Sequence, residues 1–330
     1  MKILYVAMKY DYGQKDQGYS IEHLSFYRTL KQMGHHIIYF DFLDLFHQYG
    51  KDHMNSLLLA KVKKTHPDFL FLFPFQDQID WQIIKNISQH TNTLTFAWFD
   101  NCVWRYHDFY SHIATSFNIV GTTQSSYVPL YKKLGVEQVI HVQWGINPHL
   151  HRPYYLKPKY QTSFIGRPHG TRKVRLSRLR KLGMHLNLWG PGTPNGKVND
   201  CQMVKIFNQS KINLNLTETS HQGLKIISQL RHKGWLSPLT QMKARIFEIP
   251  GSGAFMLSQY TPDIEIYYRS GQEIETFTSM EEAVAKNQYY LNHDTLRQKI
   301  ARRGYDRTIK YYTYKHRFQH IFKVAGLAHR

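Results

Sequence analysis

Cysteine is scarce: only Cys102 and Cys201 occur in 330 residues, and they stand far apart. That excludes a disulfide-stapled scaffold and any cysteine-paired zinc site. Free thiols suit a reducing compartment, so a cytoplasmic location is expected. No apolar run approaches the ~20 residues that a membrane-spanning helix needs. The opening MKILYVAMKYDYG has too short an apolar core for a secretory signal and reads as a first β-strand. Acidic residues are also few, 23 Asp and Glu against 43 Lys and Arg, for a formal charge of +20. Such a balance disfavours basic partners and favours polyanions: nucleic acid, an anionic membrane face or a phosphorylated substrate. The chain carries no internal repeat, zinc finger, RNP motif or helix-turn-helix pattern, so nothing beyond charge anchors a nucleic-acid reading. Nor is there a compact acidic metal motif, only scattered pairs such as DFLD and DQID, and no metal site is assigned.

What is present is a rhythm. KILYVA is a short apolar run, and SIEHLSFYRTLKQMG follows with apolar residues at helical spacing. HIIYFDFL returns to a strand, KDHMNSLLLAKVKKTH to a helix and FLFLFPF to a buried strand. WQIIKNISQHT, LTFAWFD, SFNIVGTT, QSSYVPLYKKLG and VIHVQWG continue the alternation. The proline-rich NPHLHRPYYLKPKYQ interrupts it as a linker. A second series then begins with TSFIGRP and runs through HLNLWGPG, CQMVKIFNQS, INLNLT, KARIFEIPGSG and AFML to the helices EEAVAKNQYYLN and TLRQKIARRGYDRTIKYY. The fold class implied is α/β, two consecutive doubly wound, Rossmann-like domains. The expected divisions are residues 1–150, 151–312 and a C-terminal helix, 313–330. Ligands of such sheets bind beyond the carboxyl ends of the strands, so a central cleft faced by both domains is the expected site.

Three stretches carry candidate chemistry. In TSFIGRPHGTRK a strand ends at Gly166-Arg167, and Arg172 and Lys173 open a helix, which makes an anion site at a helix N-terminus. Arg167, Arg172 and Lys173 are suited to a diphosphate, and Arg167 and Arg172 stand where strand, loop and helix meet. The basic run continuing through Arg175, Arg178, Arg180 and Lys181 reads in part as a solvated helix face. LWGPGTPNG repeats the arrangement with Gly190 and Gly192, as a ligand contact or as an ordinary strand-ending turn. In KARIFEIPGSGAFML, Glu248 follows Lys243 and Arg245 on a loop or first helical turn. A carboxylate there accepts hydrogen bonds from vicinal ribose hydroxyls, while Lys243 or Arg245 faces the diphosphate. Gly251 and Gly253 would let the backbone approach the ligand. The alternative for Glu248 is a surface salt bridge with Arg245.

With TSFIGRPHGTR, SKINLNLT, RIFEIPGSGAFML, GQEIETFTSMEEA and YYTYKHRF in order across residues 163 to 320, the chain resembles nucleotide-sugar-dependent glycosyltransferases of the GT-B fold. It is most similar to the family typified by the spore maturation protein CgeB, whose C-terminal domain is of the glycosyl transferase group 1 type. LTFAWFDN, NIVGTTQSSYVPLYKKLGV and VQWGINPHLHRP extend the resemblance more loosely over the first half. It implies a hexosyltransferase-type enzyme of class EC 2.4 that retains anomeric configuration and needs no metal or other cofactor. Its donor would be a nucleotide-diphosphate sugar, a UDP-sugar first, bound by the second domain. Its acceptor, a glycan or a lipid-linked sugar, would be bound by the first. Glu248 corresponds to the ribose-holding second glutamate of the family's paired-glutamate motif. The first falls at Thr240, a departure from the pattern. Arg245 matches a basic position of the CgeB-like group and joins Arg167 as a candidate catalytic cation. Where wider relatives carry a histidine, Phe99-Asp100 stands here. Asp100 is the candidate for the sugar or acceptor contact, with a helix N-cap as its alternative.

Two other readings follow from the charge. One is a non-catalytic nucleic-acid or polyanion binder, or a transferase acting on a polyanionic acceptor such as DNA. The other places the enzyme peripherally at the inner face of the membrane, held to anionic lipid by KVKKTH and WRYHDFYSH.

Overall fold

The structure, a computed structural model, describes residues 1–168, 170–218 and 240–328. The chain divides into two compact units, residues 1–143 with 314–330, and residues 144–313.

The first unit is built on a six-stranded sheet. Its strands are β1 (Lys2–Val6), β2 (His36–Phe40), β3 (Phe69–Leu72), β4 (Leu94–Phe99), β5 (Ile119–Thr122) and β6 (Gln138–His141). All pairings are parallel, in the order β2-β1-β3-β4-β5-β6. Strands buried on both faces need continuous apolar sequence, and FLFL of β3 is buried at every residue. HIIYFDFL ends as a strand at Phe40, earlier than its apolar pattern predicts. The reason is Asp41, whose side chain accepts from the Asp44 amide at 3.3 Å and caps the helix Phe42–Thr65. An N-cap of this kind outweighs strand propensity in the residues after it. That helix is kinked at Gly50, where φ is 80°.

The helix Tyr314–Val324 belongs to this unit. It seats Phe318 and Phe322 on the sheet and Tyr314 on Phe26 of the helical segment Glu22–Tyr27. The ring of Tyr314 lies 4.5 Å from Phe26, Phe318 5.9 Å from Phe71 and Phe322 5.6 Å from Phe69. Aromatic burial of this extent makes the last helix part of the core.

The second unit carries a five-stranded sheet, also parallel, in the order β11-β10-β9-β7-β8. Its strands are β7 (Tyr160–Ile165), β8 (Asn187–Trp189), β9 (Ser210–Asn215), β10 (Met256–Gln259) and β11 (Glu275–Phe277). Its core gathers Phe164, Leu179, Ile212, Leu257, Phe277 and Ile300.

Both sheets are doubly wound. The strand order reverses direction between β1 and β3 in the first and between β7 and β9 in the second. At such a switch point the loops leaving the two central strands diverge and open a crevice. The two crevices are therefore bordered by the residues after β1 and β3, and by those after β7 and β9. Among the described residues no helix is long and apolar enough to cross a membrane.

Candidate functional site

The loop leaving β7 carries Gly166 and Arg167 and enters the helix Thr171–Lys181 through Gly170. The chain leaving β9 runs through Leu216 and Thr217 to Glu218. Between them, at the switch point, lies a cluster of cations. Arg172 is buried in the first turn of its helix. It donates from Nη1 to the carbonyl of Arg167 at 3.0 Å and from Nη2 to the carbonyl of Glu218 at 3.3 Å. Lys243 donates to that same Glu218 carbonyl. The Glu218 carboxylate, only 2% exposed, pairs through Oε1 with Arg175 and accepts from Gln259 Nε2 at 3.0 Å.

Arg245 opens the helix Arg245–Gly251 and pairs with Oε2 of Glu248 in the same turn. Glu248 is 2% exposed. This Arg245 pairing was the alternative for Glu248, which set it on a surface turn; the pairing is present, but Glu248 itself is buried while Arg245 is half-buried. On the far side of the carboxylate, His151 presents Nε2 at 3.9 Å from Oε1.

The electrostatics are those of cations buried close together. Burial pushes the Lys243 ammonium well below its ordinary pKa, with Arg172 adding to the push and Glu218 opposing it. Burial likewise lowers Arg172, with Glu218 opposing and Arg245 adding. The Nε groups of Arg172 and Arg245 are buried and have no hydrogen-bond partner among the described residues. A buried guanidinium donor without an acceptor is costly, and a diphosphate oxygen would satisfy it.

The remaining expected residues divide. Arg167 and Lys173 are exposed beside the cluster, and Arg178 is occupied at the surface by Glu281 at 2.6 Å. Gly190 has a φ of 136°, and a Cβ there would stand 2.3 Å from the Gly166 carbonyl oxygen. Its bareness is required by the contact between the loops after β7 and β8. Gly253 has a φ of 72°, and a Cβ would meet Pro153 at 2.7 Å, while one on Gly251 would meet Ile146 at 2.8 Å. Contacts within the chain thus constrain all three glycines. Thr240 bridges Glu218 in antiparallel fashion.

Asp100 stands in the first unit, just beyond β4, and is 8% exposed. Its carboxylate accepts from the Tyr110 hydroxyl at 2.9 Å and from the Asn101 amide, with Arg105 3.6 Å away. Burial raises its pKa, and Arg105, Tyr110 and Asn101 counter that. The helix-cap alternative is not realised, since Asn101 occupies the cap position of Cys102–Arg105 and makes no side-chain cap bond. Much of WRYHDFYSH is interior: Arg105, Tyr106 and Tyr110 are buried, with Arg105 over the Tyr110 ring at 4.6 Å. Tyr106 and Tyr110 are core residues, while His107, Asp108 and His112 of the same stretch are exposed. The lysines of KVKKTH do reach the surface, with Lys63 and Lys64 exposed.

Sequence reasoning missed Glu218 and His151. The signal for Glu218 is a carboxylate a few residues beyond a buried strand at the sheet's switch point. His151 lies in a stretch that reads only as linker. A cavity of about 390 Å³ lies at the opposite, amino-terminal edge of the second sheet, beside Ser210, Phe255 and Arg297; Pro153 and Gly253 line it, while Arg172, Lys243, Arg245 and Glu248 do not. Among the described residues no group of three or more His, Cys, Asp or Glu side chains is placed to hold a metal ion.

Comparison with known proteins bears on the fold and on the second unit. Residues 172–323 match a family model described as glycosyl transferase-like. No match was found among curated protein sequences. Among solved structures, the chain is similar to sucrose-phosphate synthase from Thermosynechococcus elongatus (10% identity, 98% of each chain covered, TM-score 0.67). It is similar also to HepE of Anabaena, solved in complex with UDP and glucose (11% identity, 99% of each chain, TM-score 0.64). A third is a glycosyltransferase from Rickettsia africae (12% identity, 98% of this chain and 97% of that one, TM-score 0.60). At such identities the likeness is one of fold, and the fold of this chain is the two-sheet GT-B fold of these structures.

Proposed function

We propose that this chain is a glycosyltransferase that moves a sugar from a nucleotide-diphosphate sugar to an acceptor hydroxyl. One observation carries the reading: Arg172 and Lys243 meet on the Glu218 carbonyl at the switch point of the second sheet, Arg245 pairs with the buried Glu248 and acts on Arg172 electrostatically, and the Nε donors of both arginines are buried and unpartnered among the described residues. The glycosyl transferase-like match over residues 172–323 supports it. HepE, solved with UDP and with UDP-glucose, supports a UDP-sugar as the first donor to test.

In this reading Glu248 accepts hydrogen bonds from the ribose hydroxyls. Arg172, Lys243 and Arg245 face the diphosphate, with Arg167 and Lys173 at the exposed rim. The bond between the anomeric carbon and the distal phosphate oxygen breaks, and its electron pair leaves with that oxygen. The acceptor oxygen forms the new bond to the anomeric carbon, and its proton passes to the leaving phosphate or to solvent. Negative charge therefore grows on the diphosphate as the sugar becomes oxocarbenium-like. Cations already fixed in place stabilise that charge without reorganising, which is the main source of rate in such a design. Retention of configuration, hexosyl transfer and independence of metal belong to this proposal as its finer parts.

The test is release of nucleoside diphosphate from UDP-glucose and from GDP-, ADP- and dTDP-sugars by the wild type and Arg172→Met. Turnover of one donor, lost in the variant, is expected. Equal release by both proteins would overturn the assignment of the cluster.

A further inference from the structure

The cavity at the amino-terminal edge of the second sheet, about 390 Å³, lies within the ~300–1,000 Å³ range of small-molecule sites. Its lining falls between residues 153 and 305, inside the second unit. The floor is apolar. Phe207 stands near the end of the helix Asp200–Asn208, Ala254 and Phe255 lead into β10, and Ala301 comes from the helix Asp294–Tyr311. All four are buried in the fold.

The outer wall is the segment 153–158, which contributes Pro153, Tyr155, Leu156 and Pro158. Two anchors fasten it. The Tyr154 amide donates to Asn208 Oδ1 at 2.7 Å, and the amides of Lys159 and Tyr160 donate to the Gln209 carbonyl at 2.7 and 3.0 Å. Between the anchors Tyr155 has a φ of 50°, in the left-handed region that side-chain-bearing residues seldom adopt. Its ring is 87% exposed. Burial of the ring within the chain does not repay that backbone cost, and an apolar ligand lying against it would. Tyr305 supplies a second ring, with the Arg302 guanidinium 5.6 Å from its centroid.

The rim is basic. Lys211, Arg297 and Arg302 line the cavity, whereas among the described residues no Asp or Glu does. Asp294, outside the lining, lies 3.7 Å from Lys211 and 2.7 Å from Arg297, and Asp306 lies 3.1 Å from Arg302. Three cations against two carboxylates leave the rim net positive. A cationic ligand would meet like charge here, and a neutral one would leave the rim unused. A polyanionic chain would find apolar surface beyond the rim.

We propose that this cavity binds a small amphipathic monoanion, an apolar body ending in a single carboxylate or phosphate. The body lies on Phe207, Phe255 and Ala301 against the two tyrosine rings, and the head meets Lys211 and Arg302. The proposal does not rest on the glycosyltransferase reading, because Arg172, Lys243, Arg245 and Glu248 take no part in the cavity.

The experiment is a saturation-transfer NMR titration of the full chain with octanoate, octyl phosphate, 1-octanol and octyltrimethylammonium, each below its micellar concentration, repeated with UDP present. At least one of the two anions should bind about tenfold more tightly than 1-octanol or the cation, and the tighter of the two identifies the head group. The double variant Lys211→Met, Arg302→Gln should weaken that anion about tenfold and leave 1-octanol unchanged. Tyr155→Asn removes the ring and keeps a residue that tolerates the left-handed conformation, and it should weaken the anion while the melting temperature holds. UDP should not displace the ligand. The proposal is overturned if neither anion binds, if 1-octanol binds as tightly, or if binding survives both variants. Displacement by UDP would overturn it equally, since the anion would then sit on the cations around Glu248.

Discussion

His151 Nε2 stands 3.9 Å from Oε1 of Glu248, and both side chains are buried. Oε2 of the same carboxylate pairs with Arg245. Arg245 thus engages one oxygen of Glu248, while the other faces an imidazole beyond hydrogen-bond distance, whose pKa burial lowers. Replacing Glu248 by Gln keeps the shape and removes the charge. Glu248→Gln should weaken UDP binding roughly tenfold to a hundredfold, since hydrogen bonds to a charged group are worth about 1.5–3 kcal/mol. Isothermal titration of both proteins checks this, and an unchanged dissociation constant would remove Glu248 from the ribose role.

Lys243 predicts a proton count. Burial depresses its pKa in the free protein, and a bound diphosphate would raise it by supplying an opposite charge. Binding should then take up protons at pH values between the free and bound pKa. Affinity should fall as pH rises through that window, because the ammonium is lost first from the unbound state. Calorimetry in two buffers of different ionisation enthalpy measures the uptake, and Lys243→Met should abolish it. Equal apparent enthalpies in the two buffers for the wild type would contradict the account.

Glu22 predicts a pH-dependent stability. Burial raises its pKa from 4.5 to about 8, with a Ser20 hydrogen bond opposing and Asp100 adding. The folded state holds this carboxyl neutral where the unfolded chain ionises it. The resulting cost is absent below the unfolded pKa, grows as pH rises from 4.5 and levels off near 8. Glu22→Gln should gain on the wild type by about 1.4 kcal/mol per pH unit across that window. Urea unfolding at pH 5, 6 and 7 reads it, and parallel curves for the two proteins would refute it.

Gly253→Ala should destabilise the chain by about 1–3 kcal/mol, because a left-handed backbone and a contact with Pro153 oppose the added methyl. The observable is a lowered melting temperature. A melting temperature equal to that of the wild type would show that the segment yields.

The alternation of strands and helices was most legible in the first unit, where central strands are apolar runs between turn residues, as in FLFLFPF and LTFAWFD. HIIYFDFL misleads because Phe42 and Leu43 continue the apolar pattern past a capping aspartate. In the site, Arg172, Lys243, Arg245 and Glu248 were legible from their places at strand ends and helix starts. Glu218 was not, since its importance comes from Arg172 and Lys243 meeting on its carbonyl, a contact across 46 and 25 positions of the chain. Gly190 and Gly253 look alike in sequence whether a ligand or a neighbouring loop demands them. Only the positions of Gly166 and Pro153 distinguish the two.

The central claim is that the Arg172, Lys243, Arg245 and Glu248 cluster holds a nucleoside diphosphate. A thermal-shift panel of UDP, GDP, ADP, CMP and dTDP tests it most directly, with Glu248→Ala beside the wild type. A ligand at ~100 times its dissociation constant should add about 2.7 kcal/mol of stability. The account predicts that one nucleoside diphosphate stabilises the wild type and that Glu248→Ala loses the response. Stabilisation by heparin or DNA with none by any nucleotide would contradict it.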